Sequence, residues 1–133
     1  MPHLTIEYSA NLRAAGDIPG LLPKLAQALR EQRADGKPVY STGGVRVRAY
    51  EAVDYCVADG APDAAFAHAT LKIGKGRAKE TVRATGDALF EIIKAHFAPV
   101  LERQGLALSL YLDEVDETGS WKQNNLHERL KRK

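Results

Sequence analysis

At 133 residues, with 44% hydrophobic and 27% charged side chains, the chain has the composition of one globular domain spanning 1–133, and wholesale disorder is excluded. A single cysteine, Cys56, excludes an intrachain disulfide framework and a multi-cysteine zinc site, and no apolar run approaches the length of a membrane span. The net charge of +2 conceals an asymmetry: in residues 121–133 five cations stand against Glu128 alone, and the rest of the chain is slightly acidic. A basic excess confined to the extreme C-terminus reads as a solvated, frayed end, so no nucleic acid or membrane partner is expected. The N-terminus lacks a basic region followed by an apolar segment, and a cytoplasmic location is the expectation.

Residues 3–9 alternate, with Leu4, Ile6 and Tyr8 on one side and His3, Thr5 and Glu7 on the other, which predicts a half-buried strand. Asp17 is placed to cap a helix carrying Leu21, Leu22, Leu25, Ala28 and Leu29 and stopping near Asp35-Gly36. After the turn residues Ser41 to Gly44, residues 45–58 predict a long strand or a broken pair, with Arg46, Arg48 and Tyr50 sharing a face. Residues 65–73 alternate again, with Ala67, Ala69, Leu71 and Ile73 together. Gly74-Lys75-Gly76 then turns into a helix from about Arg77 to Arg103, striped by Val82, Leu89, Ile93, Phe97 and Val100. A last strand over 106–115 sets Leu106, Leu108, Leu110 and Leu112 on one face.

Strand–helix–strand thus occurs twice. Two βαβ units, each requiring a parallel pair, predict an α/β (α+β) sandwich of one four-stranded sheet with two helices on one face. The other face is left bare, and apolar or mixed residues on it would need another chain to cover them. Cys56 reads as a small buried hydrophobe, and Trp121 as the residue that docks the tail.

Three features point to chemistry. Pro2 follows the initiator Met1, and once methionine is trimmed an N-terminal proline is a secondary amine that can act as a base. Arg77 follows a glycine-rich strand-to-helix turn, where backbone N–H groups and a guanidinium together suit a carboxylate or phosphate; pairing with Glu80 is the plainer alternative. Arg46 and Arg48, two apart on one strand, repel each other unless a polyanion or open solvent relieves them. His3, His68, His96 and His127 share no metal-ligand spacing, so no metal site is expected.

Pro2 opening a strand, the two βαβ halves and Gly76-Arg77 before the second helix together resemble the tautomerase superfamily. Several segments in order resemble its 5-carboxymethyl-2-hydroxymuconate delta-isomerase family: PHLTIEYSANL at 2–12, DIPGLL at 17–22, GGVRVRA at 43–49, DAAFAHATLKIGKGR at 63–77, LFEIIKAHF at 89–97, LALSLYLDEV at 106–115 and KQNNLH at 122–127. The resemblance implies a cofactor-free homotrimeric isomerase acting on a small unsaturated polycarboxylate. It implies Pro2 as the base, Arg46 and Arg77 as catalytic and substrate-binding arginines, and His3 as a pocket residue. The polar segment of Trp121 and Gln123-Asn124-Asn125 is expected to lie across a neighbouring subunit. A dehalogenase or decarboxylase of the same superfamily, or a non-enzymatic trimeric anion-binding module, remain alternatives at this point.

Overall fold

The computed structural model describes residues 1–133. Strand β1 (His3–Ser9) buries Leu4, Ile6 and Tyr8, as the alternation predicts. It lies at the centre of the sheet, parallel to β4 (Arg46–Ala52) and antiparallel to β5 (Ala65–Gly74). β6 (Leu106–Val115) pairs in parallel with β5, giving the order β4-β1-β5-β6. A single helical turn, α1 (Arg13–Gly16), precedes α2 (Ile18–Glu31), and α3 (Lys79–Leu101) fills the second crossover. The fold is the α/β sandwich of two βαβ units read from the sequence.

The core lies between the helices and one sheet face. Leu21, Leu25 and Leu29 of α2 and Leu89, Ile93, Phe97 and Val100 of α3 are buried against Leu4, Ile6, Leu71 and Ile73. β5 presents alanines at 65, 67 and 69, and these small side chains give the Phe97 ring and Ile93 room to approach the sheet. Truncating Phe97 to alanine in such a site costs about 3–5 kcal/mol. Asp17 caps α2 as predicted, its carboxylate accepting from the Gly20 amide at 3.3 Å.

Several expectations need correction. The first long helix stops at Glu31, because Gln32 turns extended and β2 (Arg33–Ala34) pairs with β3 (Lys37–Pro38) in a miniature hairpin. Asp35 and Gly36 are its turn, both with positive φ (52° and 75°). The second helix begins at Lys79, so Arg77 stands outside it and escapes the unfavourable end of its dipole. The bare sheet face is mainly polar, with His3, Thr5, Glu7, Arg46, Arg48, His68, Thr70 and Lys72 on it; Tyr50, Phe66 and Tyr111 are its main apolar members. Cys56 is exposed, because the chain leaves the sheet after Ala52 and the two-residue period no longer buries alternate positions. Trp121 is 88% exposed and docks nothing.

The tail is held by other residues. Asn124 Nδ2 donates to the Gly43 carbonyl at 3.1 Å, and α4 (Leu126–Lys131) sits against the Thr42–Gly44 turn. A Cβ at Gly43 would lie 2.7 Å from His127 Nδ1, so glycine is what lets the tail approach. The C-terminal segment therefore lies over its own chain's amino end in this structure, where the sequence reading sets it across a neighbour.

Candidate active site

The amino end, the head of β4, the β5–α3 turn and the segment after β6 meet at one pole of the sheet, where they line an open cleft of about 930 Å³. Pro2 is buried, and its carbonyl accepts from the Arg46 amide at 3.1 Å, so the β1–β4 ladder begins at the chain terminus. Gly44 leaves space for Met1; a Cβ there would sit 3.2 Å from Met1 Cγ. With Met1 attached, the Pro2 nitrogen is an amide without basicity, and the free amine is that of Met1.

Arg46 rises from β4 beside this end, donating to the Gly44 carbonyl at 2.9 Å, with Met1 Sδ at 3.1 Å. Arg77 reaches the same cleft from the far side. Its guanidinium donates to the carbonyls of Gly74 (2.9 Å) and Val39 (3.4 Å) and lies 4.7 Å over the Tyr40 ring. The pairing with Glu80 that the sequence allows does not form. Tyr40 is itself anchored: Thr85 Oγ1 uses its proton on the Thr81 carbonyl, so the Tyr40 hydroxyl is the donor in the 2.9 Å bond between them. Sequence reasoning missed Tyr40 and Val39, which the small β2–β3 hairpin delivers; only the Asp35-Gly36 pair signalled it.

His3, on the bare face, accepts a hydrogen bond from Arg48 Nη1 at Nδ1, 3.0 Å away. Burial, then Arg48 and Arg46, push its pKa below the usual histidine value. The terminal amine is likewise lowered, first by burial and then by Lys122, Arg77 and Arg46. Like charges disfavour an ammonium, so a larger share of the amine is neutral and basic near neutrality. Lys122 is the residue that the sequence misassigned: it counts among the tail cations, yet the docked tail carries it into the cleft.

Six cations, Arg46, Arg48, Lys72, Lys75, Arg77 and Lys122, line the cleft with only Glu7 and Glu117 against them. Every ion pair in the structure lies elsewhere: Arg13–Glu51, Arg83–Asp87, Lys94–Glu91 and Lys131–Glu128. Unmatched guanidinium and ammonium groups around a depressed amine make a site for a polyanion that is to lose a proton. The other histidines are engaged away from it. His68 bonds Ser109 at 2.6 Å, and His96 Nε2 meets the Gly16 carbonyl at 2.7 Å. No group of three or more His, Cys, Asp or Glu side chains is arranged to hold a metal ion.

Comparison with known proteins agrees with this geometry. Residues 2–130 match the family model for 5-carboxymethyl-2-hydroxymuconate isomerase. The chain is 42% identical over 127 residues to 5-carboxymethyl-2-hydroxymuconate Delta-isomerase of Escherichia coli, covering 96% of this chain and 97% of that one. A crystal structure of a 5-carboxymethyl-2-hydroxymuconate isomerase from Deinococcus radiodurans R1 superposes with a TM-score of 0.88 at 45% identity, covering 97% and 93% of the two chains. A crystal structure of a 5-carboxymethyl-2-hydroxymuconate delta-isomerase gives a TM-score of 0.90 at 35% identity over 98% and 93%. A fused 4-OT that forms a symmetric trimer shares the fold alone, at 15% identity and a TM-score of 0.58 over 90% and 92% of the chains. The chain has the tautomerase fold and belongs to the 5-carboxymethyl-2-hydroxymuconate isomerase family.

Proposed function

We propose that this protein is an isomerase that moves a proton along the conjugated system of 5-carboxymethyl-2-hydroxymuconate, with Pro2 as the base once Met1 has been removed. The observation that carries this reading is the amino end held among Arg46, Arg77 and Lys122 in a cleft whose cations have no acidic partners. Trimming Met1 exposes a secondary amine at the head of β1, in surroundings that favour its neutral form. That amine takes the proton of the substrate's 2-hydroxyl and returns it to a distant carbon of the chain. Arg46 and Arg77 bind carboxylates, and whichever lies at the oxygen end stabilises the dienolate as charge develops there. Arg77 suits that task because two backbone carbonyls and the Tyr40 ring fix it before substrate arrives. His3 lines the pocket as a neutral group.

The same reading includes a homotrimer working in the cytoplasm. β4 and β6 are open sheet edges whose free backbone groups invite pairing with further copies. No helix is long and apolar enough to cross a membrane.

Methionine retention tests the base. Protein carrying Met1, verified by intact mass, is compared with trimmed protein in a spectrophotometric assay on 5-carboxymethyl-2-hydroxymuconate. Turnover should fall by orders of magnitude when Met1 is retained. Equal turnover by both forms rules out the Pro2 amine.

A further inference from the structure

We propose that Arg48, with Lys72 and His3, forms a separate carboxylate subsite on the bare sheet face beside Arg46, and that it makes the protein prefer tricarboxylates over dicarboxylates. This rests on the isomerase reading, since muconate supplies two carboxylates and the carboxymethyl branch a third.

The sheet register builds the subsite. His3 is paired with Arg46 on one side and with Lys72 on the other; Thr5 is paired with Arg48 and Thr70. All six side chains point to the bare face and line the cleft. Arg48 and Lys72 rise from the two strands flanking β1, so they form the walls of a trough floored by His3 and Thr5. Arg46 and Arg48 are two residues apart on one strand, a separation of roughly 6.6 Å, which lies within the length of a six-carbon diacid. A ligand carboxylate held by Arg46 thus leaves a branch carboxylate within reach of Arg48.

The hydrogen-bonding character of the trough is one-sided. Arg48 spends one N–H on His3 Nδ1 and forms no ion pair; Lys72 forms none either. A guanidinium can only donate, so Nδ1 must hold a lone pair and the proton of a neutral His3 sits on Nε2. Arg48 therefore fixes His3 as a donor as well. Guanidinium, ammonium and imidazole N–H face the same space, with the Thr5 and Thr70 hydroxyls able to turn their protons the same way. Two carboxylates share this face: Asp113, paired with Lys72 across β5 and β6, and Glu7, beyond Thr5 along β1; neither forms an ion pair with Arg48 or Lys72. A donor set of this kind is complementary to an oxyanion, which the proposed substrate supplies as a carboxylate.

Calorimetric titration of the trimmed protein with two unreactive saturated acids, adipate and 2-(carboxymethyl)adipate, provides the test. The wild type should bind the triacid about ten- to a hundredfold more tightly than the diacid, as one charge-assisted contact allows. Arg48→Met should erase most of that increment while leaving adipate affinity nearly unchanged, and Lys72→Met should reduce it partly. Arg46→Met should weaken both acids together. An absent increment in the wild type, or an increment that survives Arg48→Met, overturns the subsite, as does equal weakening of both acids by Arg48→Met. Turnover of 5-carboxymethyl-2-hydroxymuconate by the same wild-type preparation is measured in parallel. An intact increment without turnover refutes the isomerase reading and leaves the subsite standing.

Discussion

Tyr40 offers a way to separate what holds the fold from what positions Arg77. Its hydroxyl donates to Thr85 at 2.9 Å in a fully buried setting, and its ring lies 4.7 Å beneath the Arg77 guanidinium. Tyr40→Phe removes only the first interaction. Thr85 keeps its own bond to the Thr81 carbonyl, so the loss is one neutral hydrogen bond, about 0.5–1.5 kcal/mol. In a chain of this size each kcal/mol lowers Tm by about 3–4 °C, at fixed protein concentration. The ring remains under the guanidinium, so kcat/KM should stay within a factor of about two. Tyr40→Leu keeps an apolar side chain but removes the aromatic face, and a cation–π contact of about 0.5–2 kcal/mol goes with it. Arg77 then depends on the Gly74 and Val39 carbonyls alone, and kcat/KM should fall about two- to thirtyfold. Differential scanning fluorimetry and initial rates on one preparation give both readouts. A folded Tyr40→Leu protein with unchanged kcat/KM, or a Tyr40→Phe protein as impaired as Tyr40→Leu, would refute the positioning argument.

Lys122→Met removes a positive charge that faces the amino end together with Arg46 and Arg77, so the ammonium becomes easier to keep and the amine's pKa rises. The acid limb of the kcat/KM profile should accordingly move to higher pH; a shift to lower pH, or none, contradicts the assignment of Lys122 to the site. Gly43→Ala sets a methyl 2.7 Å from His127 Nδ1 and 3.0 Å from the His127 amide, which should undock the tail. Hydrogen exchange over residues 120–133 should quicken while the sheet stays protected, and His127→Ala in the same chain should restore part of the docking by relieving the ring contact. Unchanged exchange in Gly43→Ala shows that the turn can shift to accommodate the methyl.

Most of the architecture was legible because period and composition agreed along each element. Leu4, Ile6 and Tyr8 alternate on a strand that is buried on one face, and Leu89, Ile93, Phe97 and Val100 repeat at helical spacing. The cleft was legible in part. Pro2, Arg46 and Arg77 are brought to one pole, as the order of strands and turns suggests. Local pattern could not give Tyr40, whose place under Arg77 follows from a hairpin with two-residue strands, too short for any periodicity. Nor could it give Lys122. A run of charges after the last strand looks solvated whether it hangs free or folds back, and what folds it back is Gly43, 81 residues earlier, whose carbonyl accepts from Asn124. Cys56 and Trp121 went wrong for a related reason. Residue type argues for burial, but both lie where the chain has left the sheet, and both are exposed on their own chain.

The two βαβ halves run antiparallel at their shared seam, β1 against β5, so the sheet has an approximate twofold relation between its ends. The head of β5 at one pole is the counterpart of the head of β1 at the other. There the backbone passes straight through: Ala65 donates to the Gly105 carbonyl at 2.9 Å, and Asn11 ties down the Ala64 carbonyl at 2.7 Å. The nitrogen in the position equivalent to the amino end is a peptide nitrogen. Duplicating an architecture does not duplicate a chain terminus, so a fold of two like halves carries one basic nitrogen and one peptide bond in corresponding places. Chemistry that depends on an end is asymmetric by covalent necessity, however symmetric the sheet that presents it.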